Sequence, residues 1–229
     1  MSQIRAEVIE IWLAENGDTG IRIACQTTLQ PAVGQYILAN GMDFQAVPST
    51  PLFSISYNEK EILVAPPAPP AWRVGMQLSL RGPLGEGFSM PRTARKVALA
   101  VLTSNPYRLL ALVQQALAQE AVVVFFTAVI PGGLSPDVEV LPFEQLPEVL
   151  RWADYLALDF QASQISQLNH TLGLPAGRNC PCKAQALVQI DMPCGGTGNC
   201  GVCSILTRRG WRLACDDGPV FELNELLSK

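Results

Sequence analysis

Three cysteines crowd into one short segment, Cys194-Gly-Gly-Thr-Gly-Asn-Cys200-Gly-Val-Cys203, and a fourth, Cys215, follows after eleven residues. So many glycines rule out a regular helix or strand there, and the close thiols ask for a loop wrapped around a common centre. Four cysteines of this kind are the ligand set of a [2Fe–2S] cluster, with two thiolates for each iron. The distant Cys215 would close the cage. Gly195, Gly196, Gly198 and Gly201 can take positive φ and carry no Cβ, so backbone N–H groups can turn toward the sulfides. Such hydrogen bonds help set a reduction potential. The expected role is the movement of single electrons.

Two other uses of the thiols remain open. Structural zinc favours two separated CxxC pairs, whereas only Cys200 and Cys203 form such a pair here. The spacing is C-x5-C-x2-C-x11-C, one residue longer in its first gap than the plant-type C-x4-C-x2-C run. A disulfide framework is the weakest option, because six of the seven cysteines lie at one end and no signal-peptide pattern opens the sequence.

At 229 residues, with 48% hydrophobic and 16% charged side chains, the chain has enough apolar material for two or three small cores. A net charge of −4 argues against a nucleic-acid partner, which calls for a basic patch. The longest apolar run, Ala121–Ile130, suits a buried strand and falls short of a membrane span. Reduced thiols and an oxygen-sensitive cluster fit a cytoplasmic setting. Many prolines and few charges hint at a surface covered by a partner.

Residues 1–90 read as an antiparallel β-barrel. Ile4, Ala6 and Val8 alternate, then Ile9, Ile11 and Leu13 alternate out of phase, which predicts a strand with a bulge. Ile21, Ile23 and Cys25 alternate cleanly, which places Cys25 in the core. Further strands are expected at 34–39, 52–56, 61–64 and 76–81, with a stiff proline-rich connector at 65–71. From 91 to 172 the pattern becomes strand–helix–strand, implying a parallel-sheet α/β domain. Strands are expected at 96–102, 121–130, 138–141 and 155–160, and helices at 107–119, 143–152 and 162–172, the first capped by Asn105 and Pro106. Residues 173–229 form the small C-terminal cluster loop domain.

This order resembles the electron-transfer subunit of dihydroorotate dehydrogenase, a branch of the ferredoxin–NADP reductase superfamily. Met192-Pro-Cys194-Gly matches the family's entry to the cluster, and Cys215-Asp-Asp-Gly-Pro-Val-Phe221 matches its exit. Gly82-Pro83-Leu84-Gly85-Glu86-Gly87-Phe88 matches the loop that ends the flavin barrel, and Gly34-Gln35-Tyr36 a barrel signature. The resemblance implies cluster ligands Cys194, Cys200, Cys203 and Cys215. It implies FAD near Ser54, Gly82 and Gly85, and an electron path from NADH through FAD and the cluster to a partner flavoprotein subunit in a hetero-oligomer.

Two of the family's motifs are altered. The flavin signature Arg-Pro-x-Ser reads Thr50-Pro51-Leu52-Phe53-Ser54, with no arginine, and the Gly-Thr turn that meets the pyrophosphate is replaced by the proline run. That leaves the phosphates without their usual cation and donors. FAD stays an open question, with Arg73 or Arg81 as substitutes. The glycine-rich nicotinamide turn reads Thr103-Ser104-Asn105-Pro106, and a later Cys-Gly-Pro reads Leu158-Asp159-Phe160-Gln161. Direct use of NAD(P)H is not expected. The leading expectation is an electron-transfer subunit serving a partner oxidoreductase. The alternatives are a self-contained FAD-dependent NAD(P)H reductase and a non-catalytic metal-binding scaffold or sensor.

Smaller signals have bland readings. Cys180-Pro181-Cys182 reads as two loop thiols beside the cluster, with an extra ligand or a redox thiol as the sharper reading. His170 reads as a surface or packing residue, and with a single histidine no Ser–His–Asp set can be assembled. Trp211 reads as a shield for the cluster or a contact for a partner.

Overall fold

The computed structural model describes residues 4–25, 29–42 and 49–228. The opening residues 1–3, on which the signal-peptide reading partly rests, lie outside the described residues.

Alternating sequence builds the first layer. Strands β1 (Ile4–Leu13), β2 (Thr19–Cys25), β3 (Tyr36–Gly41), β4 (Thr50–Tyr57), β5 (Glu61–Val64) and β6 (Gln77–Leu84) close into an antiparallel barrel in the order β1-β2-β5-β4-β3-β6. Closure removes exposed strand edges. Val8, Ile21, Ile23, Leu78 and Leu80 fill its interior, with Cys25 among them. The phase slip in β1 is a bulge: register with β2 shifts between Val8 and Glu10. Such an extra residue lets the outward set change face without breaking the strand.

Continuous apolar runs build the second layer. Strands β7 (Lys96–Val101), β8 (Val122–Phe126), β9 (Val138–Leu141), β10 (Tyr155–Gln161), β11 (Lys183–Gln189) and β14 (Val220–Glu222) form one sheet in the order β14-β11-β10-β7-β8-β9. All pairs except β11–β14 are parallel. Buried on both faces, such strands carry no alternation. Helices α1 (Leu110–Ala118), α2 (Leu146–Trp152) and α3 (Leu168–Thr171) each follow a 3₁₀ turn, at Pro106–Leu109, Phe143–Gln145 and Ala162–Gln167. Asn105 caps the first turn, its side-chain oxygen accepting from the Tyr107 N–H at 3.0 Å.

The chain runs from β7 outward to β8 and β9, then returns to β10 on the other side of β7. The connections therefore diverge between β7 and β10, and a crevice opens at the carboxyl ends of the strands. The segment 173–229 contributes β11 and β14 to this sheet, so the tail is continuous with the α/β layer. It ends with a hairpin of β12 (Ser204–Thr207) and β13 (Gly210–Leu213) and the short helix α4 (Leu223–Leu226). No helix among the described residues is long and apolar enough to cross a membrane.

Candidate iron–sulfur site and adjoining cleft

The cysteine loop leaves the carboxyl end of β11 through buried Met192 and reaches Cys194. Gly195, Gly196, Gly198 and Gly201 all have positive φ, between 65° and 72°. Gly196 is required twice over, since a Cβ there would stand 2.7 Å from the Tyr36 hydroxyl oxygen. The hairpin then brings its two flanking cysteines together: Ser204 pairs with Leu213, and the Ala214 N–H donates to the Cys203 carbonyl at 3.0 Å.

The Cys194 thiol interacts with Thr197 and Cys200, and the Cys215 thiol with Cys203 and, more weakly, with Cys194. Cys203 and Cys215 are buried, Cys194 is half-buried and Cys200 is exposed. Hydrogen bonding by Thr197, with a further contribution from Cys200, pulls the Cys194 thiol down to about 6. Burial, reinforced by Cys203, pushes Cys215 up to about 12. Among the described residues no three His, Cys, Asp or Glu side chains gather as a compact site for one metal ion.

The barrel reaches over to hold this loop. Tyr36, fully buried, donates from its hydroxyl to the Cys215 carbonyl at 2.8 Å, and burial, followed by the nearby Cys215 and Cys203 sulfurs, raises its pKa. Arg81 donates to the Gly195 carbonyl, so the cation considered for a flavin phosphate is engaged with the cluster loop. The Glu86 N–H donates to the Gly218 carbonyl at 2.5 Å. Gly85 also faces the tail, because a Cβ there would lie 2.3 Å from the Gly218 oxygen. Gly82 packs on the backbone of Tyr36 and Ile37. Ser54 is buried within β4.

A cleft of about 470 Å³ opens beside Met192, where β4, the proline connector and the carboxyl ends of β10 and β11 converge. Phe53, Pro66, Arg108, Gln161 and Gln189 line it; Ser54, Gly82 and Gly85 do not. Arg108 and Asp159, 8% and 0% exposed, form an ion pair at 3.0 Å. The Arg108 guanidinium also donates to the Pro66 carbonyl at 3.3 Å and stands 5.9 Å from the centre of the Phe53 ring. Gln189 donates to the other Asp159 oxygen, and Asn105 donates to the Pro66 carbonyl. Burial pushes the Asp159 carboxyl up, while Arg108 and then Gln189 hold it down.

Sequence reasoning missed Arg108 as a cleft residue. The available signal was Asp159, a lone acid inside the apolar run Tyr155–Gln161. A charge in that position requires a buried partner.

Beside the loop, the hairpin shows an apolar face to solvent. Leu206 and Trp211 are register partners, 60% and 71% exposed, and Val202 of the loop is 55% exposed. His170 is exposed on α3, in keeping with a surface role.

Residues 191–227 match the model of the iron–sulfur cluster binding domain of dihydroorotate dehydrogenase B. No curated protein matches the chain in sequence. Among solved structures, an NADH-dependent reduced ferredoxin–NADP oxidoreductase described for flavin-based electron bifurcation aligns with a TM-score of 0.71 and 12% identity, covering 96% of this chain and 88% of that one. Phthalate dioxygenase reductase, described as a modular structure for electron transfer from pyridine nucleotides to [2Fe–2S], aligns with a TM-score of 0.58 and 10% identity over 83% of this chain and 70% of its own. The ferredoxin reductase of carbazole 1,9a-dioxygenase, in its FAD apo form, aligns with a TM-score of 0.59 and 15% identity; this chain spans 64% of its length, and 76% of this chain is covered. At these identities the likeness is one of fold. Residues 191–227 thus resemble that iron–sulfur cluster binding domain, and the chain as a whole shares the fold of these reductases.

Proposed function

We propose that Cys194, Cys200, Cys203 and Cys215 hold a [2Fe–2S] cluster, and that the chain relays single electrons between it and a partner oxidoreductase subunit. When bound, the cluster supplies a one-electron centre. The observation that carries the reading is the match of residues 191–227, which contain all four cysteines, to an iron–sulfur cluster binding domain. Four thiolates satisfy two irons, two on each.

The residues around the cysteines have separate tasks. The loop glycines free the backbone to face the sulfides. Tyr36 and Arg81 pin the loop to the barrel by its carbonyls. The exposed face of Val202, Leu206 and Trp211 offers apolar area beside exposed Cys200, which suits docking of the partner. On this reading 1–90 is the supporting barrel, 91–172 the α/β support, and 173–229 the part that carries electrons. The resemblance points to a flavoprotein of the dihydroorotate dehydrogenase kind as the partner.

The cleft does not fit a flavin or nicotinamide dinucleotide. Among the described residues its one cationic side chain, Arg108, is committed to Asp159, and Asp191 adds a negative charge to the lining. A diphosphate would meet no unpaired cation there. No step is therefore routed through FAD or NAD(P)H.

The test is an absorption spectrum, with iron, acid-labile sulfide, zinc and flavin quantified on protein prepared without oxygen. Equal iron and sulfide with no flavin is the expected result. Zinc without sulfide would make the tail a structural scaffold, and bound flavin that bleaches with NADH would make the chain a self-contained reductase.

A further inference from the structure

Two cysteines stand apart from the cluster loop. Cys180 and Cys182 precede β11, whose other end leads to Cys194, so the length of that strand, roughly 20 Å at about 3.3 Å per residue, separates them from the loop. Their sulfurs are 3.7 Å apart. The Cys180 N–H donates to the Asn224 side-chain oxygen at 2.8 Å, tying this turn to α4. Pro181 between them restricts the backbone further. Cys180 is buried and Cys182 half-buried, so one sulfur is open to a reagent and the other is held behind it. Neither is used by the cluster.

We propose that Cys180 and Cys182 form a reversible dithiol–disulfide couple that exchanges with low-molecular-weight disulfides. Cys182, the accessible sulfur, attacks one sulfur of an external disulfide as the proton it shares with Cys180 passes to that neighbour. A mixed disulfide forms and one external thiolate leaves. That thiolate takes the proton from Cys180, whose sulfur attacks Cys182, forming the 180–182 bond and releasing the second external thiolate. The thiol–thiolate pair is oxidised by two electrons and one external disulfide is reduced, the single shared proton leaving with the first external thiol and the second external group leaving as a thiolate that takes its proton from solvent. Hydrogen bonding from Cys182 holds the Cys180 thiol down, so Cys180 is the base that receives the shared proton, and exposure selects Cys182 as the sulfur that meets the reagent.

A bond between such near neighbours constrains almost no unfolded chain, so it adds little stability. Its place is among the labile, responsive disulfides rather than the structural ones. The proposal does not depend on what the cluster loop binds.

The experiment uses the full chain, prepared without oxygen and equilibrated with mixtures of reduced and oxidised glutathione. Free thiols are then trapped with N-ethylmaleimide, and the peptide containing Cys180 and Cys182 is weighed. The expected product in oxidising mixtures is that peptide, unalkylated and lighter by two hydrogens, restored to the doubly alkylated form by dithiothreitol while visible absorbance is unchanged. In Cys180→Ser, glutathione should remain on Cys182 as a stable adduct, at least tenfold more abundant than in the parent protein. A peptide that stays doubly alkylated across the series overturns the proposal. So does an adduct on the parent protein as abundant as on the variant, or oxidation that occurs only as visible absorbance is lost. Should the variant not fold, the parent protein's peptide mass decides alone.

Discussion

Two turns at the carboxyl edge of one sheet take opposite courses. The loop after β11 is rich in glycines of positive φ and carries Cys194, Cys200 and Cys203. The turn after β7 has no glycine, and there Asn105 caps the helix start while Arg108 and Asp159 pair in the interior. One turn is built largely from glycine backbone, and the other is filled by its own side chains. The difference lies in whether each strand end presents backbone or side chain.

The sharpest way to break the contrast is to remove a thiol from the glycine-rich loop. Cys203→Ser or Cys215→Ser should lower iron and sulfide content more than tenfold, measured by metal analysis, with the α/β core still folded by circular dichroism. The filled turn should fail differently. Asp159→Ala strands the Arg108 guanidinium in the interior and should cost about 3–5 kcal/mol in urea unfolding, whereas replacing both partners with apolar residues should cost much less. If the single and double variants proved equally mild, the pair would not be the plug described above.

Smaller effects sharpen the comparison. Gly196→Ala should lose about 1–2 kcal/mol of loop stability for its φ alone, and more from the contact with Tyr36. Cluster content should drop several-fold and recover in part when Tyr36→Phe is added. Tyr36→Phe alone should cost about 1 kcal/mol, the worth of one buried hydrogen bond, seen as a lower melting temperature. The smallest change lies beside the filled turn. The Tyr107 hydroxyl donates to Glu15 and holds that carboxyl below its ordinary 4.5. Its contribution is present above that pH and fades as pH falls through the lowered value. Because Glu15 is exposed, Tyr107→Phe should remove only a few tenths of a kcal/mol. The difference between variant and parent should vanish in acid titrations of stability.

Much of this arrangement was legible in the residues. Period-two alternation marked the barrel, even to the bulge after Val8, and uninterrupted apolar runs marked β7, β8 and β10. The run 121–130 stops early as a strand, at Phe126, because the Thr127 hydroxyl turns back to the Val129 carbonyl at 2.7 Å. Strand β11 escaped notice because Gln185 and Gln189 interrupt its apolar pattern. Gln185 is nonetheless buried, accepting from the Tyr155 hydroxyl at 2.8 Å and the Ser89 N–H at 2.7 Å. Cys194, Cys200, Cys203 and Cys215 carried their own local spacing. Arg108 and Asp159, 51 positions apart, carried none that a local pattern could reveal.

The hydroxyl of Tyr36 and the carbonyl of Cys215 are 179 positions apart in the chain. On a ribosome the anchor is therefore made long before the loop that it grips. A barrel that emerges early offers the later-made thiols a finished surface to close upon. The last of the four cysteines thus meets a partner that has already been made.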